Sequence, residues 1–396
     1  MLFGRLAFRG RAAAACATAS AAAATFATFC AAPPPNDAPG RPGVLSAIGN
    51  TPLVELPRLS EATGCRILAK CEFLNPGGSI KDRAALFMVE EAERQGLLGE
   101  GSTIYEGTGG NTGVGLAMVA AAKGYGAVMA MPGSIAKEKV EAMETYGAKT
   151  ILTPSVPFTS MEHYFHRARD AARADPKGFW CNQFDNLANL KSHYLGTAPE
   201  LWLQTQRQTG TKVDGFVCSC GTGGTLAGIA MFLKEQDPGI QCYLVDPHGS
   251  ALFDYVKHKG RHFTETIVAG KVVKFIKRDG GSSMTEGIGI GRVTANFEQG
   301  ALPRLDGQFK ASDKEAIEMA YWLKENEGVY VGPSAALNVV GAVKLAKKMG
   351  PGHTIVTVLF DGGGRYKSKL YTQSWLKEKG FVLLSREVRD ALEWLH

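Results

Sequence analysis

No two cysteines of this chain stand at C-x-x-C spacing, and no cluster of histidine, cysteine and acid has the separation of a metal site. That excludes the common zinc and iron–sulfur frameworks. His163 and His166, three apart on a helix-forming stretch, read as solvated side chains rather than ligands. Of the eight cysteines, Cys16 and Cys30 fall near the N-terminus, and the other six sit in apolar, strand-like runs, as buried thiols of a reducing compartment do. After residue 43 there is no apolar run of membrane-spanning length and no internal repeat. A nucleic-acid face is lacking too. Of the net charge of +6, Arg5, Arg9, Arg11 and Arg41 against Asp37 supply +3, and the rest of the chain carries only +3.

Acidic residues are absent from residues 1–32, which hold arginines, hydroxyls and many alanines before a break at PPPNDAPGRPG. Residues 1–43 therefore read as an organelle targeting leader, mitochondrial in preference to plastid. The second reading is a membrane anchor over residues 12–32. Alanine gains little from entering lipid, so such insertion would be marginal.

What is present is an ordinary globular composition, 45% hydrophobic and 21% charged over 396 residues, enough for two domains. From Val44 to about Lys377 short apolar runs (RILAKCEF, STIYEG, GAVMAMP, KTILTP, DGFVCSC, QCYLVDP, TIVTVLFD) alternate with amphipathic stretches. This predicts an α/β fold with parallel sheets covered on both faces. The 48 glycines gather in clusters that follow strands: EGTGGNTG, CGTGGTLAG and DGGGR; TEGIGIGR has no clear strand before it. In open α/β sheets that edge binds ligands. The final segment, FVLLSREVRDALEWLH, predicts an amphipathic helix outside the core or on a partner.

In NPGGSIKDR, Lys81 stands at the first turn of a predicted helix, a poor place for an ammonium and a suitable one for a neutral amine. Gly221, Thr222, Gly223, Gly224 and Thr225 join a strand to a helix and can hold a phosphate through backbone N–H groups. They lack the lysine of a P-loop, and Leu226 breaks the dinucleotide fingerprint. Thr108-Gly109-Gly110-Asn111-Thr112 also precedes a helix and can hold a carboxylate, with Asn111 as a donor or simply as the N-cap. A lysine able to form an imine beside a phosphate loop is the pattern that pyridoxal 5'-phosphate requires.

IGNTPLVEL, NPGGSIKDR, GTGGNTG, NQFDNLAN, GTGGT, EGIGIG, VGPSAAL and DGGGRY stand in the order and spacing of the cysteine synthase (O-acetylserine sulfhydrylase) family. The resemblance covers about residues 44–375. It implies fold type II: two three-layer αβα domains with largely parallel sheets and the active site between them. The implied layout is a smaller mobile domain at 75–189, a larger cofactor domain at 44–74 plus 190–377, and a tail at 378–396. By the resemblance, Lys81 is the Schiff-base lysine, Asn111 bonds the cofactor's ring hydroxyl, residues 221–225 bind its phosphate and Ser334 faces its ring nitrogen. Thr108, Gly109, Gly110, Thr112 and Gln183 grip the substrate carboxylate, and Gly287 and Gly289 line the mouth. The implied reaction is β-replacement of the acetoxy group of O-acetylserine by sulfide through an α-aminoacrylate, in a homodimer able to bind serine acetyltransferase. Cystathionine synthesis from serine, cysteine desulfhydration and a weakly catalytic partner of serine acetyltransferase are the alternatives. One departure stands out: Gly109 replaces the serine usual in the carboxylate loop, which removes one hydroxyl and frees the backbone.

Overall fold

The computed structural model describes residues 41–135, 137–277 and 283–395, so most of the predicted leader, including the possible anchor at 12–32, lies outside the described residues. Twelve strands occur among them: β1 Leu53–Glu55, β2 Arg66–Cys71, β3 Thr103–Gly107, β4 Gly126–Pro132, β5 Lys149–Thr153, β6 Gly178–Trp180, β7 Gly215–Cys218, β8 Gln241–Pro247, β9 Thr264–Val268, β10 Lys271–Phe275, β11 Gly307–Ala311 and β12 Thr354–Leu359. Six helices shape the cavity and its supports: α1 Lys81–Arg94, α2 Asn111–Lys123, α3 Tyr164–Ala174, α4 Ala198–Thr209, α5 Gly224–Gln236 and α6 Pro333–Met349.

The strands form a six-stranded sheet, β1-β2-β12-β7-β8-β11, a four-stranded sheet, β5-β4-β3-β6, and a hairpin of β9 and β10. Both larger sheets are parallel throughout, except that β1 runs antiparallel to β2 at an edge. Every residue of β7 and β12 is buried, as covered parallel strands must be. β1 and the hairpin are too short or too exposed to show an apolar run, and the sequence pattern did not predict them. One apolar core surrounds α6 and the six-stranded sheet, and another fills the space among α1, α2 and the four-stranded sheet. Gly115 permits the close approach of α1 and α2: a Cβ there would sit 3.2 Å from that of Ala85.

Because the strands are parallel, the loops after β3, β7 and β12 leave from carboxyl ends, and each carries one of the glycine clusters. A buried ionic network fastens the start of α1 beneath them. Arg83 makes paired hydrogen bonds to Glu72 (2.7 and 2.9 Å) and to Glu200 on α4 (2.8 and 2.7 Å). Lys70, fully buried, reaches Glu200 at 2.7 Å, Gln204 at 2.8 Å and the Thr51 carbonyl at 2.6 Å.

The tail corrects an expectation. It forms only a short helix, Arg386–Asp390, and packs on its own chain rather than standing away from the core. Arg389 is buried against Glu318 (2.8 Å) and Glu325 (2.6 Å), Leu395 is buried, and Lys347 donates to the Leu395 carbonyl. The acids that receive Arg389 come from residues some 70 positions earlier, a pairing no local pattern displays.

Candidate active site

Lys81 is the first residue of α1. The Gly77 N–H donates to Asp82 (2.6 Å) and the Lys81 N–H to the Ser79 hydroxyl (3.2 Å), which ties the NPGGSI loop to the helix start and fixes where the lysine emerges. Its amine stands 5.7 Å over the Phe360 ring and opens into a cavity of about 950 Å³. Burial pulls this amine below its ordinary value, opposed by Cys218, Asp361 and Cys220 nearby. The sequence pointed to the helix start as a cause of that lowering; the structure adds burial.

The same cavity is lined by Thr108, Gly109, Gly110, Asn111, Thr112, Gln183, Gly221, Thr222, Gly223, Thr225, Gly287, Gly289 and Ser334. Of the residues predicted from the sequence only Gly224 is not on its wall. A side chain on Gly224 would overlap the Asn189 carboxamide, so it supports the loop from behind.

The Ser219–Thr225 loop fits a phosphate. Gly223 has φ +93°, and a Cβ there would stand 2.7 Å from the Phe297 nitrogen, so only glycine leaves the backbone in this place. Asn189 donates to the Thr222 hydroxyl (3.0 Å), and Thr225 Oγ1 lies 3.2 Å from His193 Nε2, whose other ring nitrogen is 2.9 Å from Thr197 Oγ1. Burial holds His193 well below the usual histidine range, so its ring is neutral. The Ser219 hydroxyl, buried on the cavity wall, has no partner among the described residues. An orphaned hydroxyl, a row of loop amides at the start of α5 and a lysine amine suit a phosphate-bearing aldehyde. Ser334, second in α6 and 4% exposed, adds a neutral hydroxyl to the wall.

The loop of residues 108–112 lines the same cavity. Gly110, not Asn111, takes the N-cap place of α2, and the Gly110 N–H bonds the Thr108 hydroxyl at 3.2 Å. The Thr112 hydroxyl donates to Gln183 Oε1 (2.6 Å), and Gln183 in turn approaches Glu106 at 3.3 and 3.4 Å. Glu106 is fully buried, and burial pushes its carboxyl up to about 8. Asn111 donates its amide to Asp361 (2.7 Å) and accepts from Arg365; Asp361 also accepts from Tyr366 (2.7 Å). Glu106 and Asp361 were missed. The glutamate had only its place in an apolar run, EG, to mark it, and the aspartate only its position before a glycine cluster.

On the cavity wall Gly287 and Gly289 take φ values of +83° and +79°. Between them and the 137–144 helix, Glu286 bonds both Lys139 and Lys369. His163 and His166 are not solvated: His166 is buried with Nε2 2.7 Å from the Phe158 carbonyl, and half-buried His163 caps α3. No cluster able to hold a metal occurs among the described residues. All six cysteines among them are free and buried; Cys220 reaches the cavity wall, and burial raises the thiols of both Cys218 and Cys220.

The pyridoxal-phosphate dependent enzyme family matches residues 44–361. The chain is 45% identical over 339 residues to a cysteine synthase of Dictyostelium discoideum, covering 86% of each chain. It is 48% identical to cysteine synthase 1 of Emericella nidulans, over 85% of this chain and 86% of that one. It is 37% identical to a protein of Saccharomyces cerevisiae named as a putative mitochondrial cysteine synthase, over 84% of each. Among solved structures, a hydrogen sulfide-producing enzyme of Fusobacterium nucleatum superposes with a TM-score of 0.69 at 33% identity, over 83% of this chain and 99% of that one. With a lysine amine, a glycine cradle and a serine hydroxyl meeting in one cavity, and with these relatives matched along most of their length, the chain belongs to the cysteine synthase family of pyridoxal-phosphate dependent enzymes.

Proposed function

We propose that this enzyme forms L-cysteine and acetate from O-acetylserine and sulfide, using Lys81 as the covalent anchor of pyridoxal phosphate and as the mobile base. The observation that carries the reading is the position of Lys81: a desolvated amine facing both the 219–225 cradle and the 108–112 loop across one cavity. When bound, pyridoxal phosphate supplies an electron-withdrawing ring that acidifies the substrate Cα–H and eases departure of the β-acetoxy group. The amides of residues 109–111, with Thr108 and Gln183, hold the substrate carboxylate, and Thr112 orients Gln183 through its 2.6 Å bond. Lys81 Nζ takes the proton from Cα and returns it once the new C–S bond has formed. Ser334, with its neutral hydroxyl, would hold the ring nitrogen without enforcing ring protonation, which would favour β-replacement over reactions needing a deeper electron sink.

Residues 75–189 act in this reading as a mobile domain whose closure excludes water. A homodimer that engages serine acetyltransferase, and a mitochondrial address carried by residues 1–43, complete the proposal; the acid-free N-terminus and the named yeast relative support the address.

The test is the visible spectrum of the purified holoenzyme titrated with O-acetylserine and, separately, with serine. An absorption band lost in Lys81→Ala and shifted by O-acetylserine alone supports the reading. A response to serine alone overturns the choice of substrate.

A further inference from the structure

Behind Asn111 lies a carboxylate to which the reaction assigns no step. Asp361 follows β12 and is 1% exposed. Its segment is held on two sides: the Ile80 N–H donates to the Phe360 carbonyl (2.9 Å) and the Gly332 N–H to the Asp361 carbonyl (3.0 Å). Ile80 leads into Lys81, and Gly332 is the N-cap of the helix that carries Ser334. A Cβ on Gly332 would collide with Asp361 Oδ1, so glycine there leaves the room that the carboxylate fills. Oδ2 accepts from the Asn111 amide and from the Tyr366 hydroxyl, each at 2.7 Å, while Oδ1 has no partner among the described residues.

Asn111 is thereby gripped at both ends of its carboxamide. The amino group donates to Asp361, and the carbonyl accepts from the Arg365 guanidinium. Arg365 is itself fixed, since it also donates to the Gly77 carbonyl. A guanidinium has donors only, so the atom facing it must be the carboxamide oxygen. Asp361 Oδ2, already the acceptor of the Tyr366 hydroxyl, calls for the nitrogen on the other side. The two contacts agree, and together they exclude the flipped amide. Released from them, a carboxamide exchanges its oxygen and nitrogen by a half-turn about its last torsion. One N–H of Asn111 remains without a partner among the described residues, on a side chain that lines the cavity.

We propose that Asp361 and Arg365 are positioning residues: from opposite ends they lock the Asn111 carboxamide so that it can only donate to the cofactor's ring hydroxyl. The inference rests on the reading of Asn111 as the partner of that hydroxyl. A donor at the ring oxygen favours the form in which the proton has left it, whereas a carbonyl placed there would favour the protonated form. The clamp therefore sets where that proton resides, and with it the electronics of the ring beside Lys81. Charge and orientation make different predictions for the two residues. Asp361 is an acid that acts on the Lys81 amine, and Arg365 carries the opposite charge, so their removal would have opposite effects if charge governed. If orientation governs, losing either one frees the same amide and both effects have one sign.

The experiment measures the absorption spectrum of the full-length holoenzyme at one pH, where the protonated and unprotonated ring oxygen give separate bands. Asp361→Leu and Arg365→Met are expected to move the ratio of the bands toward the protonated oxygen, both in that direction and by about tenfold, the equivalent of about 1.4 kcal/mol. Asp361→Asn keeps an acceptor without the charge, and Arg365→Lys keeps a donor. Both should stay within about threefold of wild type, under the tenfold that 1.4 kcal/mol represents. Release of the cofactor on dilution, a readout apart from turnover, should quicken in Asp361→Leu and Arg365→Met together. Arg365 is exposed, so Arg365→Met carries the test should Asp361→Leu fail to fold. Asn111→Ala separates the inference from the reading beneath it. Opposite shifts in Asp361→Leu and Arg365→Met, or a shift in Asp361→Asn as large as in Asp361→Leu, overturn the clamp in favour of charge. Wild-type ratios in both Asp361→Leu and Arg365→Met, with Asn111→Ala displaced, overturn it outright. A spectrum unchanged in Asn111→Ala as well defeats the underlying reading of Asn111 instead.

Discussion

Gly109 and Ile135 interlock: the Ile135 Cδ1 methyl occupies the space where a side chain on Gly109 would begin. Serine at 109 must displace Ile135, and overpacking of this kind costs about 1–3 kcal/mol. We expect Gly109→Ser alone to raise KM for O-acetylserine roughly tenfold, the equivalent of about 1.4 kcal/mol. Adding Ile135→Ala should recover most of the loss. A double-mutant cycle in KM checks this, and strictly additive effects would refute the coupling.

Glu106 predicts a pH dependence of stability. Its folded carboxyl is raised from 4.5 to about 8, so the folded chain holds a proton that the unfolded chain releases. The contribution is fully present below about pH 4.5 and is lost as pH rises through about 8. Asp82 and Asp246, raised to about 7 and about 6, act in the same direction and must be held constant. Glu106→Gln removes only its own share. The gain in Tm of the variant over wild type should thus be larger at pH 8 than at pH 5. A gap independent of pH would show that Glu106 is ionised in the fold.

Arg83 serves two carboxylates with two paired sets of hydrogen bonds, a geometry lysine cannot reproduce. Breaking one member of a buried ionic group typically costs about 3–5 kcal/mol. Arg83→Met and Arg83→Lys should both lower the urea midpoint, with lysine recovering less than half of the loss. Full recovery by lysine would mean that charge alone, not the fork, holds the start of α1.

Glu286 bridges Lys139 and Lys369 on the cavity wall. Burial pushes its carboxyl up, but the two lysines outweigh this and hold it below its ordinary value, so the bridge persists at neutral pH. The groups are partly exposed and screened by salt, which makes the bridge weak and easily opened. Glu286→Gln is expected to flatten the dependence of kcat/KM on ionic strength, with a change of no more than a few-fold at low salt, the scale of a pair worth up to about 1 kcal/mol. Stopped-flow or steady-state rates between low and high salt decide it.

Much of this architecture is written locally. The apolar runs at 66–71, 103–107, 126–132, 149–153, 215–218, 241–247 and 354–359 are strands, and the glycine clusters after β3 and β7 meet at one cavity. Runs of that kind report their own burial, which is why they can be read one at a time. The relations that the sequence concealed are all between distant residues of ordinary appearance. Ile135 is one more apolar residue until it fills the space over Gly109. Glu106 is one more acid until β4 and β6 close on either side of β3. Arg389 and Leu395 look like a surface helix until Glu318, Glu325 and Lys347 receive them.

Cys218 and Cys220 lie close enough to Lys81 to act on its charge, and Cys220 lines the cavity into which the lysine opens. Thiolate, not thiol, is the attacking form. By burying both sulfurs and raising both thiols, the fold keeps them protonated at neutral pH. Two thiols beside Lys81 are thereby held in their unreactive form, which leaves β-replacement to a sulfur that arrives from solution.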